Sequence, residues 1–114
     1  MTTVVPRFHA VIHPPPRLQV CGLLAAVESM DFAAVRDSVG VSDSVLSKHV
    51  KQLEEAGYVR VRKATVASRV RTSLSLTPAG RSAFEEHVAE LRRIVDAPLD
   101  APLDSPRDGA RTEG

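Results

Sequence analysis

"VSDSVLSKHVKQLEEAGYV", residues 41–59, changes its periodicity at one glycine, and that change decides the fold. Ser42 is a strong helix N-cap, because its hydroxyl accepts a hydrogen bond from an otherwise free N–H of the first turn. Leu46, His49, Val50 and Leu53 recur at i, i+3, i+4 and i+7, which predicts a helix over 42–56 with one buried face. At about 100° per residue, the opposite face carries Ser44, Ser47, Lys48 and Lys51. Small hydroxyls between lysines are an unusual choice for a merely solvated face. Glu54 and Glu55 follow a turn later, so the N-terminal half of this helix is positive or neutral and can approach an anion. Gly57 then ends the helix.

Beyond Gly57 the period falls from helical to two. "YVRVRK" alternates Val59 and Val61 with Arg60 and Arg62, and "RVRTSLSL" alternates Val70, Thr72, Leu74 and Leu76 with Arg69, Arg71, Ser73 and Ser75. Two such strands joined by about six residues make a hairpin, with an outer face that is basic near the loop. Thr77 caps a last helix with Pro78 in its first position, and Phe84, Val88, Leu91 and Val95 form its apolar stripe. Upstream, "AAVRDSVG" reads as a short helix stopped by Gly40, "SMDF" as an extended connection, and "LQVCGLLAAV" as a helix buried on several sides. "PRFHAVIH" sets Val4, Phe8, Val11 and Ile12 on one helical face, and the prolines 14–16 end that helix and begin the next.

Composition bounds the whole. A chain of 114 residues, 43% hydrophobic and with one cysteine, buries one modest core and forms no intrachain disulfide. No stretch reaches the roughly 18 apolar residues of a membrane helix, and no apolar run follows Arg7 as in a signal peptide, so a cytoplasmic protein without membrane contact is expected. The net charge of +1 conceals a split. From Lys48 to Arg71, seven bases stand against Glu54 and Glu55; residues 96–114 carry five acids against Arg107 and Arg111. "DAPLDAPLDSPRDG" repeats proline and aspartate and cannot bury enough apolar surface to order itself. The expected division is a folded domain over 1–95 and a disordered tail over 96–114.

Two helices joined through Gly40, the quoted stretch, a basic hairpin and then "LTPAG" opening a helix closely resemble the winged helix-turn-helix transcription regulators of the MarR and ArsR type. The resemblance covers roughly residues 8–95 and rests on "LEEAGYV" followed one hairpin later by "LTPAG". It implies a mainly α fold with a small β-hairpin wing, and a homodimeric regulator of transcription, here expected to be a repressor, bound to double-stranded DNA. The helix over 42–56 would enter the major groove and the wing, 58–76, would touch flanking DNA. Ser42, Ser44, Ser47, Lys48, Lys51, Arg62, Lys63, Arg69 and Arg71 are the expected DNA-binding residues. Phe8, Val11, Ile12, Phe84, Val88, Leu91 and Val95 are expected at the dimer interface, since their stripes exceed what so small a core can cover. The wing tip "ATVAS" departs from the pattern, lacking the usual Gly or Pro. Where the family has an effector pocket it lies between the dimerisation helices and the DNA-binding core, and no residue here specifies a small-molecule effector.

Other chemistry is weakly signalled. His9 and His13 have a metal-compatible spacing but no cysteine pair or carboxylate beside them, and read better as surface or interface residues. Cys21 reads as a small buried hydrophobe rather than a redox sensor, and His49 as a satisfied, half-buried histidine. No Ser/His/Asp grouping, phosphate-cradling glycine loop or carboxylate pair is present, so neither an enzyme, a cofactor nor a metal is expected. A winged-helix module that binds protein is the alternative. It would carry apolar or acidic residues where this chain has Ser44, Ser47, Lys48 and Lys51.

Overall fold

The computed structural model describes residues 8–100, with the side chains of 8–96. In chain order these form α1 (Pro15–Ala25), β1 (Met30–Asp31), α2 (Phe32–Val39), α3 (Asp43–Glu55), β2 (Val59–Val66), β3 (Arg69–Leu76) and α4 (Pro78–Asp100). The first three helices pack around Val20, Cys21, Leu24, Val35, Leu46 and Leu53, all fully buried. Val59 and Leu74 of the sheet and Ala83 of α4 close the same core.

The turns follow from local chemistry. Gly40 ends α2 at φ 81°, and its N–H donates to the Arg36 carbonyl at 2.8 Å. Ser42 caps α3 by accepting from the Val45 N–H at 3.2 Å. At the far end, Gly57 takes φ 82°, its N–H donating to the Glu54 carbonyl and that of Tyr58 to the Leu53 carbonyl, each at 2.9 Å. This is a Schellman cap, and it turns the chain straight into β2. Arg36 bridges the helix pair, its guanidinium donating to Asp37 at 2.9 Å and to Asp43 at 2.8 Å.

The sheet is antiparallel in the order β1-β3-β2. Its register pairs Val59 with Leu76 and Val61 with Leu74 on the face toward the helices, and Arg60 with Ser75 and Arg62 with Ser73 on the other. Thr77 ties the end of the hairpin to its beginning. Its N–H donates to the Tyr58 carbonyl at 2.9 Å, its hydroxyl donates to the Gly57 carbonyl at 2.6 Å, and the same oxygen accepts from the Gly80 N–H at 2.9 Å as the cap of α4.

Four sequence expectations change. Residues 8–13 form a single turn, in which the Ile12 and His13 N–H groups donate to the His9 carbonyl, rather than a helix. So short a segment ending at a proline cannot sustain helical bonding; Val4 of the expected stripe lies outside the described residues. The hairpin loop is two residues, not six, because cross-strand pairing continues out to Thr65 with Val70 and Val66 with Arg69. Ala67 and Ser68 supply the required left-handed turn at φ 51° and 64° without any glycine. "SMDF" contributes a third strand, since Met30 pairs with Leu74 and Asp31 with Ser73. Finally, α4 runs to Asp100, so the boundary placed after Val95 falls inside a helix; residues 101–114 lie outside those described.

A methyl group on Gly80 would stand 2.1 Å from the Tyr58 carbonyl oxygen, whereas one on Gly22 would make ordinary contact with Phe84 at 3.7 Å. Gly80→Ala is therefore expected to destabilise the chain by about 3 kcal/mol through forced separation of α4 from the Tyr58 backbone. Gly22→Ala, inside α1, should be neutral or stabilising by up to about 1 kcal/mol. Urea denaturation of the two variants checks the pair, and equal stabilities would contradict the close approach.

Candidate nucleic-acid interface

Burial of Leu46, Val50 and Leu53 orients α3 so that Ser44, Ser47, Lys48 and Lys51 are exposed on its outer side. Ser47, Lys51 and Lys63 meet in one cleft of about 470 Å³ between α3 and the hairpin, with Thr72 on its wall. Asp43 and Glu54 also line this cleft, so its two acids balance Lys51 and Lys63. Ser42 is exposed too, but its hydroxyl is engaged as the cap of α3 and shares a 3.3 Å contact with that of Ser44.

The hairpin divides its bases between two faces. Cross-strand partners share a face, so Lys63 beside Thr72 lies on the side of α3, while Arg62 beside Ser73, Arg71 beside Ala64 and Arg69 beside Val66 lie on the other. Arg69 and Arg71 meet again at a shallow hollow beyond the end of β1, next to Asp31 and Phe32. Arg71 donates to Asp31 at 2.8 Å and not to Glu54 or Glu55. Both partners are substantially exposed, so the pair contributes about 0–1 kcal/mol and an incoming phosphate could replace the carboxylate at little cost. Val66 and Val70 are exposed at the tip, on opposite faces of the hairpin.

The expected dimer residues separate by burial. Ile12 is fully covered within the chain's own core and has no surface left for a partner. Val11, Phe84, Val88 and Leu91 are half-buried, while Phe8 and Val95 are exposed. Ile94, missing from the expected set, is also exposed beside Val95. Its position three residues after Leu91 was the signal that could have found it.

The histidines near the N-terminus have taken partners in α4. The His9 N–H donates to His87 Nδ1 at 3.0 Å, so the other nitrogen of a neutral His87, Nε2, carries the proton and donates to His13 Nδ1 at 3.1 Å. His9 Nε2 meets Glu86 at 3.0 Å. Among the described residues no group of three His, Cys, Asp or Glu side chains is arranged to hold a metal. His87 is fully buried; burial first, then the neighbouring His13 and His9, hold its pKa below the ordinary histidine range against the opposing pull of Glu90, which is itself paired with Arg93. Cys21 is buried as expected, and burial pushes its thiol up to about 11, which keeps it unreactive. His49 is half-buried, but its Nδ1 has no protein partner, contrary to the expectation of a satisfied histidine.

Comparison with known proteins places this geometry. A family model described as a winged helix DNA-binding domain matches residues 17–95. An uncharacterized protein of Methanocaldococcus jannaschii is 31% identical over 78 residues, covering 68% of this chain and 85% of that protein. Among solved structures, the transcriptional regulator homologue from Pyrococcus horikoshii OT3 aligns with a TM-score of 0.73 at 24% identity, over 80% of this chain and 89% of that one. A MarR family transcriptional regulator from Silicibacter pomeroyi aligns at a TM-score of 0.59 and 21% identity, over 86% and 64% of the two chains. These two structures share the fold of four helices and an antiparallel sheet with its hairpin wing.

Two histidines give stability a pH dependence of known sign. His87 and His49 are both held below the ordinary histidine value, His49 by burial first and then by Arg17. Unfolding releases them to about 6.5, so the unfolded chain binds the extra protons and stability falls as pH drops below about 6.5. Melting temperature is therefore expected to decline between about pH 7.5 and about pH 5.5, with His87→Gln flattening part of the decline. Circular-dichroism melts across that range test this; a flat wild-type profile would contradict it.

Proposed function

The chain belongs to the winged helix DNA-binding domain family, and from that premise we propose that it is a sequence-specific transcriptional regulator that acts as a homodimeric repressor. The observation that carries this reading is the outer side of α3. There a helix fixed by three buried residues presents Ser44, Ser47, Lys48 and Lys51 to solvent, beside a hairpin bearing Lys63 on one face and Arg62, Arg69 and Arg71 on the other. Serines let a helix lie close to base edges, and the lysines reach phosphate or guanine. Arg69 and Arg71 act through the DNA backbone, and the wing supplies affinity more than sequence preference.

The dimer in this reading forms through α4 and the N-terminal turn, by way of Phe8, Val11, Phe84, Val88, Leu91, Ile94 and Val95. Support comes from the exposure of Phe8, Ile94 and Val95, large apolar side chains that a monomer would leave in water. Two-fold symmetry would set the two copies of α3 about one turn of DNA, roughly 34 Å, apart. A protein seated over that length of duplex obstructs transcription from it, which is why repression is the proposed sign.

Affinity for a duplex from the upstream region of its own gene should fall steeply with salt. Arg69→Ala and Arg71→Ala should each lower the slope of log affinity against log salt by about 0.9 per contact, or about twice that in a dimer. Arg71→Ala should cost at most about 1 kcal/mol of stability, since the Asp31 pair is exposed. Ser44→Ala or Ser47→Ala should instead change which sequence is preferred; uniform weakening on all duplexes would show that these serines do not read bases. Light scattering at tens of micromolar should return a dimer, and a monomer there would refute the assembly.

A further inference from the structure

On the flank of α3 away from the hairpin, Arg17 from the first turn of α1 meets Lys48, His49, Lys51 and Gln52 around an open hollow of about 400 Å³, with Glu55 as the acid on its rim. Arg17, Lys48 and Lys51 outweigh Glu55, so the hollow is net positive. Arg36, Arg71 and Arg93 all have carboxylate partners, whereas among the described residues no carboxylate pairs with Arg17, Lys48 or Lys51. Two nitrogens here lack any bond within the protein: Arg17 Nε and His49 Nδ1 are both shielded from solvent and unpartnered. Dry, unbonded polar nitrogens are costly, and two at the junction of the same two helices require a common explanation.

We propose that this hollow is a binding site for a DNA phosphodiester, with Arg17 as the principal contact and His49 as a second donor; the inference rests on the DNA-binding reading above. A phosphodiester has the negative charge that Arg17, Lys48 and Lys51 leave uncompensated and enough acceptor oxygens for a forked guanidinium. Turning Arg17 outward to meet it frees Nε from its dry position, and the tautomer of His49 protonated at Nδ1 gains an acceptor. The location selects DNA over a free anion. Lys51 lines both this hollow and the cleft on the wing side, so the two flank the exposed face of α3. A major groove about 12 Å wide is walled by two phosphate backbones. With α3 in the groove the wing meets one wall and the Arg17 hollow meets the other. Arg17 stands 25 residues before Ser42 in sequence, which is why no local motif signalled it.

The test uses the full chain and a bound duplex in which single phosphates are replaced, one at a time on each strand, by neutral methylphosphonates. Wild-type binding should weaken several-fold at one position per half-site on the wall opposite the wing, and Arg17→Gln should be insensitive there while keeping the wild-type sensitivity at positions read by Arg69 and Arg71. Arg17→Gln should also lower the salt slope by about 0.9 per protomer, or about twice that for a dimer, with sequence preference and melting temperature unchanged. Arg17→Lys should keep most of the slope and lose part of the affinity. An unchanged slope and an unchanged methylphosphonate profile for Arg17→Gln overturn the proposal. So does a saturable, Arg17-dependent response to inorganic phosphate without DNA at submillimolar concentration, which would assign the hollow to a free anion. If Arg17→Gln fails to fold, the wild-type scan decides alone, since a profile with no sensitive phosphate beyond those lost in Arg69→Ala and Arg71→Ala rejects the site. A wild-type chain that binds no duplex at all sinks the DNA-binding reading itself, a result distinct from wild-type binding that ignores Arg17.

Discussion

The contact between Thr77 and the backbone at Gly57 and Tyr58 is the constraint on which the rest of the molecule depends. Gly57 closes α3, Tyr58 opens the hairpin, and Thr77 both closes the hairpin and caps α4, so one residue joins three elements through three hydrogen bonds. Each bond uses a group that a helix end or strand end would otherwise leave unsatisfied. Gly80 completes the arrangement by letting α4 pass so close to Tyr58 that no side chain fits between them. The two short motifs that signalled the family, "LEEAGYV" and "LTPAG", are thus the two halves of one physical contact.

That junction has functional consequences because it sets the angle between α3 and the hairpin. The cleft holding Ser47, Lys51 and Lys63 exists only while the two elements diverge from a fixed origin at Gly57. Charge then tunes the surface. Arg36 binds Asp37 and Asp43 and so offsets the acid in the first turn of α3, while the exposed Glu54 and Glu55 stay at the far end, beyond Lys48 and Lys51. Arg71 and Asp31 do the opposite, holding a base of the wing in a weak exposed pair that is readily exchanged. A surface of this kind combines a rigidly held helix face with adaptable peripheral cations.

The N-terminal turn and α4 are coupled by side chains rather than by regular structure. Phe8 packs against the rings of His13 and His87 at 4.7 and 4.6 Å, and His87 serves as acceptor for one neighbour and donor to the other. Only the neutral ring can do both, so desolvation of His87 and its bonding pattern reinforce one another. The exposed ring of Phe8 is therefore held against α4 by this histidine cluster.

Sequence alone determined the helix-turn-helix, the cap at Ser42, the stops at Gly40 and Gly57, the alternating hairpin and the exposed face of α3, because each of these follows from contacts between residues close in the chain. It misread the segment over 8–13, where an apolar spacing suggested a helix but proline and the distant ring of His87 decided the outcome. It also missed the third strand, since two residues carry no periodicity and Met30 and Asp31 become a strand only by pairing with β3. The same holds for the site. Spacing identified the bases, but only register assigned Lys63 to one face of the wing and Arg69 and Arg71 to the other, and only packing paired Arg71 with Asp31, 40 residues away. Tertiary structure alone buried Ile12 and brought Arg17 beside His49, because such contacts depend on how helices distant in sequence are set against one another, and no local pattern encodes that distance.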